Sequence, residues 1–323
     1  MIDRFGRLID YARVSVTDRC NLRCVYCRPE KQEKAGGTPT FEQLMRVCTA
    51  LATLGIRKIR ITGGEPLVRN DIVDILRAVN KLKGIENVSL TTNGVFLPRL
   101  LEEISPGEID GLNINLNSHD PAVYKAITRT GRLEEALAGL YAALDKGFSN
   151  IKINCVAIAG LNDDDFPALA QLAREKDIAV RFIEVMPVGL GKEYTPVPEE
   201  KIAARLKERF GPLEPCPGVF GNGPAVYYNL PGFRGKIGFI SALSHRFCKH
   251  CNRVRVTSGG YLKTCLNFHS GLDLRPLNER EVPEEKLARH IKRAIMEKPK
   301  GHRFNGPSGE YEEEAGLMSR IGG

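Results

Sequence analysis

The sequence predicts an α/β fold, an open partial barrel of six strand–helix units followed by a smaller α+β module, on three observations. From residue 11 to about residue 186, short β-type runs alternate with helical ones, a pattern that implies right-handed βαβ units on a parallel sheet. Six units are too few to close an eight-stranded barrel, so the barrel stays open. Beyond Phe210 the alternation gives way to the Gly- and Pro-dense stretch GPLEPCPGVFGNGPAVYYNLPGFRG. At 323 residues the chain can bury one large domain with an appendage, or two domains. The texture change places the division at 1–210 and 211–323.

The six strands are expected at 12–17 (ARVSVT), 57–62 (RKIRIT), 87–92 (NVSLTT), 112–117 (LNINLN), 150–159 (NIKINCVAIA) and 178–184 (IAVRFIE). Helical periodicity fills the gaps in FEQLMRVCTALATLG, DIVDILRAVNKLKG, LEEALAGLYAALDKG and DDDFPALAQLAREK, several of which stop at Gly, a frequent C-terminal residue of helices. In the second module GKIGFIS and VRVTSGGYLKTCL read as strands, the latter a hairpin about Gly259–Gly260. A last helix is expected in VPEEKLARHIKRAIMEK, before a polar tail ending SRIGG.

Buried parallel strands are usually continuous runs of Val, Ile and Leu; these alternate instead. Arg13, Ser15 and Thr17 share one face and Val14 and Val16 the other. Lys58, Arg60 and Thr62 oppose Ile59 and Ile61, and Ser89 and Thr91 oppose Val88 and Leu90. Asn113, Asn115 and Asn117 oppose Ile114 and Leu116, and Lys152 and Asn154 oppose Ile151 and Ile153. A single such strand would be an edge strand facing solvent. Five together predict a wet, cationic lumen, and Arg13, Lys58, Arg60 and Lys152 inside it call for a polyanionic ligand.

No run of eighteen apolar residues and no signal-like N-terminus are present in the sequence, so a cytoplasmic protein is expected. There thiols stay reduced, and the nine cysteines need another use. Cys48, Cys155 and Cys216 stand alone and read as small buried residues. The formal charge of +8 favours anionic partners without choosing among them.

Cys20, Cys24 and Cys27 lie in the loop after the first strand, at the end where α/β barrels gather their active sites. Structural zinc takes four protein ligands, and the first histidine of the chain is His119. An iron–sulfur cluster held by three cysteines leaves one iron open to an outside ligand. The second trio, Cys248, Cys251 and Cys265, has His245, His250 and His269 nearby and could close a Cys3His zinc site. Arg253 and Arg255, which follow on one side of a strand, tilt the reading toward an anionic ligand held against an open iron.

Cys-x3-Cys-x2-Cys after a first strand, with Tyr26 before the last cysteine and Gly63-Gly64-Glu65-Pro66 after the second strand, resembles the radical S-adenosylmethionine (SAM) enzymes, whose fold is a partial, TIM-like (βα)6 barrel. Over nearly the whole chain the sequence is similar to their GTP 3′,8-cyclase family. The marks are SVTDRCNLRCVYC, KIRITGGEPLVR, LTTNG, RFIEVMPVG, FCKHCNRVRVT with Cys265, and the terminal Gly322-Gly323. The resemblance implies a lyase that converts GTP to 3′,8-cyclo-7,8-dihydro-GTP, early in molybdopterin (molybdenum cofactor) biosynthesis. In that chemistry a 5′-deoxyadenosyl radical removes the ribose 3′ hydrogen and the C3′ radical adds to guanine C8.

By the same resemblance Cys20, Cys24 and Cys27 hold a 4Fe–4S cluster that binds SAM, with Tyr26, Gly64, Asn115 and Met186 at SAM-contacting positions. Cys248, Cys251 and Cys265 hold a second 4Fe–4S cluster in the C-terminal module. Arg13, Arg60, Thr91, Lys152, Arg253 and Arg255 stand at GTP-contacting positions, with Lys58 and Arg181 as further candidates. The Gly-Gly tail enters the active site. Implied partners are an electron donor such as flavodoxin or ferredoxin and cyclic pyranopterin monophosphate synthase as the next enzyme; a homodimer is allowed, and no nucleic acid or membrane is expected. Two departures stand out: Asn115-Leu116-Asn117 replaces the family's frequent Ser-Leu-Asp, and the linker RPEKQEKAGGTP is short, which leaves the first cysteine loop less covered. Competing readings are a radical SAM peptide-modifying enzyme with an auxiliary cluster, and a basic zinc-containing nucleic-acid-binding protein; the chain lacks the aromatic platform of the latter.

Overall fold

The computed structural model describes residues 1–31, 37–218, 220–304 and 312–322. Part of the short linker, 32–36, lies outside them, as does Gly323. Six parallel strands form the barrel: β1 (Tyr11–Ser15), β2 (Lys58–Thr62), β3 (Asn87–Thr92), β4 (Gly111–Asn115), β5 (Ile151–Ala157) and β6 (Ala179–Glu184). Helices α1 (Phe41–Thr53), α2 (Ile72–Asn80), α3 (Leu97–Glu103), α4 (Pro121–Thr128), α5 (Leu133–Asp145), α6 (Phe166–Glu175) and α7 (Glu199–Phe210) follow the strands.

Helix and strand faces meet as the periodicities require. In α1, Leu44, Val47, Cys48 and Leu51 are buried at i, i+3, i+4 and i+7. The helix starts at a capping box, where the Gln43 N–H donates to Thr40 Oγ1 at 3.2 Å and the Thr40 N–H to Gln43 Oε1 at 3.0 Å. In α2, Ile72, Ile75, Leu76 and Val79 repeat that spacing. These stripes cover the apolar faces of the strands, and Val14, Ile59, Ile61, Leu90, Ile114 and Ile153 are fully buried beneath them.

The second module does not stand apart; it extends the same sheet at both ends. Strands β7 (Glu214–Pro215), β8 (Val226–Asn229) and β9 (Lys236–Ile240) continue beyond β6, with β9 parallel to it. At the opposite edge β10 (Arg253–Val256) pairs parallel with β1, followed by antiparallel β11 (Tyr261–Lys263) and β12 (Gly271–Asp273). The result is one twelve-stranded sheet, ordered β12-β11-β10-β1-β2-β3-β4-β5-β6-β9-β8-β7. Helices α8 (Arg275–Glu279), α9 (Glu284–Met296) and α10 (Met318–Ile321) complete the chain, with α9 packed on α1.

Eight elements lack a sequence expectation: helices α3, α4, α7, α8 and α10, and strands β7, β8 and β12. Helices α3 and α4 are short and carry Pro near their first turns, so neither spans enough residues to show a period. Only Ile202 and Leu206 of the highly charged α7 are buried. Strand β8 lies inside the Gly/Pro-dense stretch. Cys48 and Cys155 are buried as expected, whereas Cys216 is only half-buried. Among the described residues no helix is long and apolar enough to cross a membrane.

Candidate active site

The register of the parallel strands sets the lumen. Arg13 of β1 stands level with Arg60 of β2 on one side and Arg255 of β10 on the other. Thr91, Asn113 and Lys152 are level across β3, β4 and β5. Arg181 of β6 is level with Asn154, to which its Nε donates at 2.9 Å while its Nη2 donates to Asn113 Oδ1 at 2.6 Å. Asn154 Nδ2 in turn donates to Asn115 Oδ1 at 3.0 Å.

This crowd of cations is held at an electrostatic disadvantage. Burial, with repulsion from Arg13, Arg181 and Arg253, pulls Arg60 down to about 9. Burial and the charges of Arg181 and Arg60 bring Lys152 down to about 7. Arg181 and Arg255 are also lowered, chiefly by burial. Burial favours the neutral Tyr11 phenol, yet Arg60 and Arg13 outweigh it and draw the group down to about 8. An anion among these groups would relieve each of them.

The first cysteine trio caps the C-terminal ends of β1 and β2. Its loop is clamped from three sides. The Gly64 N–H donates to the Thr17 carbonyl and the Glu65 N–H to the Arg19 carbonyl, both at 2.7 Å. Arg23 and Val25 donate their N–H groups to the carbonyls of Thr128 and Ile127 at the end of α4. Asn93 Nδ2 reaches Asn21 Oδ1 at 2.7 Å. Burial pushes the Cys20 thiol up to about 11 and Cys27 to about 12, and raises Cys24 further, with mutual repulsion among the three adding to it. Three half-buried thiols that resist becoming free thiolates suit a cationic iron–sulfur core, and the Leu22 N–H to Cys20 Sγ contact at 3.3 Å is the kind of sulfur hydrogen bond such ligands take.

The second trio lines the same cavity. Cys248 opens a short helical turn, Cys251 closes it, and Cys265 follows β11. Burial opposes ionisation of Cys251, but the charges of Lys298 and Arg253 and a backbone hydrogen bond prevail and bring it down to about 6. Cys248 is raised, mainly by burial, and accepts the His302 N–H at 3.4 Å. The histidines weighed for a zinc site lie elsewhere: His245 is beside Glu199 and Glu200, His269 stacks on Tyr261, and His250 is exposed. Among the described residues no three His, Cys, Asp or Glu side chains converge on one bare ion.

A single cavity, about 1860 Å³ including its mouth, is lined by both trios and by Tyr26, Gly64, Thr91, Asn115, Met186, Arg13, Arg60, Arg181, Arg253 and Arg255. Thr91 Oγ1 is buried without a hydrogen-bond partner among the described residues, as a group awaiting a ligand would be. Two expected contacts are not on this lining. Lys152 is buried on the lumen face and donates to Asn150 Oδ1. Lys58 is neutralised by Asp10 at 2.9 Å, so it needs no anionic ligand.

Gly322 does enter the barrel: its carbonyl accepts from Arg255 Nη1, and at φ +89° a Cβ there would press on Ser15 at 3.2 Å. Residues that sequence reasoning did not single out also line the cavity, among them Asn93, Lys263, Lys298 and His302. Lys263 had a readable signal, since it is level with Arg255 on the hairpin. Lys298 and His302 had none, because the loop after α9 carries no period.

A partial (βα)6 barrel with a three-cysteine loop after β1 and Gly-Gly-Glu-Pro after β2 defines a radical SAM enzyme. The model of the radical SAM superfamily matches residues 14–173, and that of Molybdenum Cofactor Synthesis C matches 178–304. The GTP 3′,8-cyclase of Heliobacterium modesticaldum is 42% identical over 336 residues, covering 100% of both chains. That of Clostridium perfringens is 40% identical over 326 residues, again covering 100% of both. The chain belongs to the GTP 3′,8-cyclase family. Among solved structures, Streptococcus suis SuiB bound to S-adenosylmethionine shares the fold with TM-score 0.57 at 15% identity, covering 80% of this chain and 60% of that one.

Proposed function

We propose that this protein is a GTP 3′,8-cyclase that takes GTP to 3′,8-cyclo-7,8-dihydro-GTP with SAM and two 4Fe–4S clusters, early in molybdenum cofactor biosynthesis. The observation that carries the reading is one cavity lined by both cysteine trios and by Arg13, Arg60, Arg181, Arg253 and Arg255, of which Arg60, Arg181 and Arg255 are buried. The full-length similarity to two GTP 3′,8-cyclases supports the same substrate.

Cys20, Cys24 and Cys27 would hold the first cluster, and Cys248, Cys251 and Cys265 the second. When bound, the first cluster and SAM supply a 5′-deoxyadenosyl radical able to take a hydrogen from the ribose. The chain's own groups do the rest. Tyr26, Gly64, Asn115 and Met186 orient SAM beside the first trio. Arg13, Arg60, Arg253 and Arg255, with Lys152 behind them, take the triphosphate, for which guanidinium forks are suited. Thr91 Oγ1 offers the lumen an unused hydroxyl, and Gly322 closes the side nearest Ser15 and Thr62. Burial of these donors keeps bulk water from the reacting carbon.

The division of labour follows the chain: 1–210 generates the radical and 211–323 brings the second cluster and the guanine. A flavodoxin- or ferredoxin-type electron donor, a cytoplasmic location and delivery of the product to cyclic pyranopterin monophosphate synthase complete the reading, which allows a homodimer. Anaerobic reconstitution followed by SAM, a strong reductant and GTP tests it. The expected result is 5′-deoxyadenosine together with a cyclic GTP-derived product. Release of 5′-deoxyadenosine with no such product overturns the assignment and favours a radical SAM enzyme acting on a peptide.

A further inference from the structure

Lys298 is a buried cation outside the group assigned to the triphosphate. Lys298 follows the end of α9, where its N–H still bonds the Ile295 carbonyl at 3.1 Å, and Pro299 prevents the helix from continuing. Its side chain lines the cavity and the residue is 3% exposed. The ammonium donates to the Arg253 carbonyl at 3.0 Å and to the Thr264 carbonyl. Arg253 lies two residues beyond Cys251, and Thr264 immediately precedes Cys265. One side chain therefore ties together the backbones that carry two of the three thiols.

The third thiol has its own cation, of a different character. Arg7 Nη1 donates to the Cys248 carbonyl at 3.2 Å, and Arg7 also bonds the carbonyls of Pro299 and Lys300 at 2.8 and 2.9 Å. Its charge is neutralised by Asp3 at 2.6 Å. Among the described residues no carboxylate forms an ion pair with Lys298. An ammonium buried against carbonyls alone is unfavourable unless negative charge is close. The nearest source is the thiolate set of Cys251 and its partners, together with whatever they bind.

We infer that Lys298 is a positioning residue for the second iron–sulfur cluster, fixing the Cys251 and Cys265 segments against each other and raising the cluster's reduction potential with its uncompensated charge. The inference rests on the two-cluster reading above. One-electron reduction adds one negative charge to the cluster, and a fixed positive charge in a low-dielectric site favours that state. Arg7 would act mainly through geometry, because Asp3 offsets much of its charge.

The test uses the full-length reconstituted protein as wild type, Lys298→Met, Lys298→Gln and Lys298→Arg, with iron and sulfide analysis and a redox titration followed by electron paramagnetic resonance. Wild type should hold about eight irons in two clusters; a value of about four overturns the two-cluster reading itself, independently of the lysine. In Lys298→Met and Lys298→Gln the second cluster should titrate at a more negative potential, or be lost with about half the iron, while the first cluster keeps its signal and potential. Lys298→Arg should restore most of the wild-type value. Neutral variants that match wild type in iron and in both potentials overturn the inference. So does an arginine variant that shifts as far as the methionine one.

Discussion

A Cβ on Gly64 would stand 2.2 Å from the Arg19 carbonyl oxygen and 2.7 Å from that of Asp18. Both belong to the backbone of the first cysteine loop, so neither can turn aside. The glycine is thus required by the loop's approach to β2, before any ligand is considered. Gly64→Ala should fold yet lose the iron that Cys20, Cys24 and Cys27 would hold, about half of the total on the proposed two-cluster reading; full iron content would contradict this. Asn117 is explained at the same scale. Its Nδ2 donates to the Tyr26 hydroxyl at 3.1 Å while its Oδ1 accepts the Val156 N–H at 2.9 Å. The amide thus gives one hydrogen bond and takes another, whereas an ionised aspartate can only accept. Lys152, held down to about 7, is mostly neutral at pH 8 in the free protein. A triphosphate beside it favours the ammonium and raises its pKa, so GTP binding should take up a proton. Uptake should approach about one proton near pH 8–9 and vanish by about pH 5–6, where Lys152 is already charged. Calorimetry in buffers of different ionisation heat measures it, and Lys152→Met should lower it by the lysine's share, leaving the part taken up by Tyr11, which Arg60 and Arg13 draw down to about 8.

Strands were more legible than helices, for a geometric reason. A two-residue period shows in five residues, so the parity of Arg13, Arg60, Thr91, Asn115 and Asn154 could be read directly and the cavity lining carries all five. Parity assigns a face and not a depth, which is why Lys58 was placed with the lumen cations although Asp10 neutralises it. The 3.6-residue period of α3 and α4 was not visible over seven and eight residues. Contacts between elements were also beyond sequence, and Gly139 in α5 shows one. A Cβ there would lie 2.0 Å from the Gly94 carbonyl oxygen and 3.2 Å from Leu97 at the start of α3. Alanine gains about 1 kcal/mol of helix propensity over glycine, whereas forcing α5 from its neighbour costs about 1–3 kcal/mol. Gly139→Ala should therefore lower the urea midpoint, and an unchanged or raised midpoint would show that α5 can shift freely.

The second cysteine trio reaches the first because the chain returns to both edges of its own barrel. β10 bonds β1 in register from Tyr11–Arg253 to Val14–Val256, and β9 bonds β6 from Ala179–Lys236 to Ile183–Ile240. Residues 211–323 accordingly share the sheet of the barrel. Removing 211–323 would strip both edge partners from β1 and β6, whose Tyr11, Ala12, Val14 and Val180 are now fully buried. It would also remove α9 from α1, where Leu287, Ile291 and Ile295 are buried. Bare apolar parallel edges pair with other chains, so a 1–210 fragment should aggregate even with its three cysteines intact. The full chain should unfold in one transition. Tryptophan is absent from the sequence, so far-ultraviolet circular dichroism and visible cluster absorbance are the two probes to compare under anaerobic denaturant titration. Coincident curves are expected. A soluble, folded 1–210 fragment, or two separated transitions, would show instead that the barrel carries its own stability and that the C-terminal strands merely dock on it.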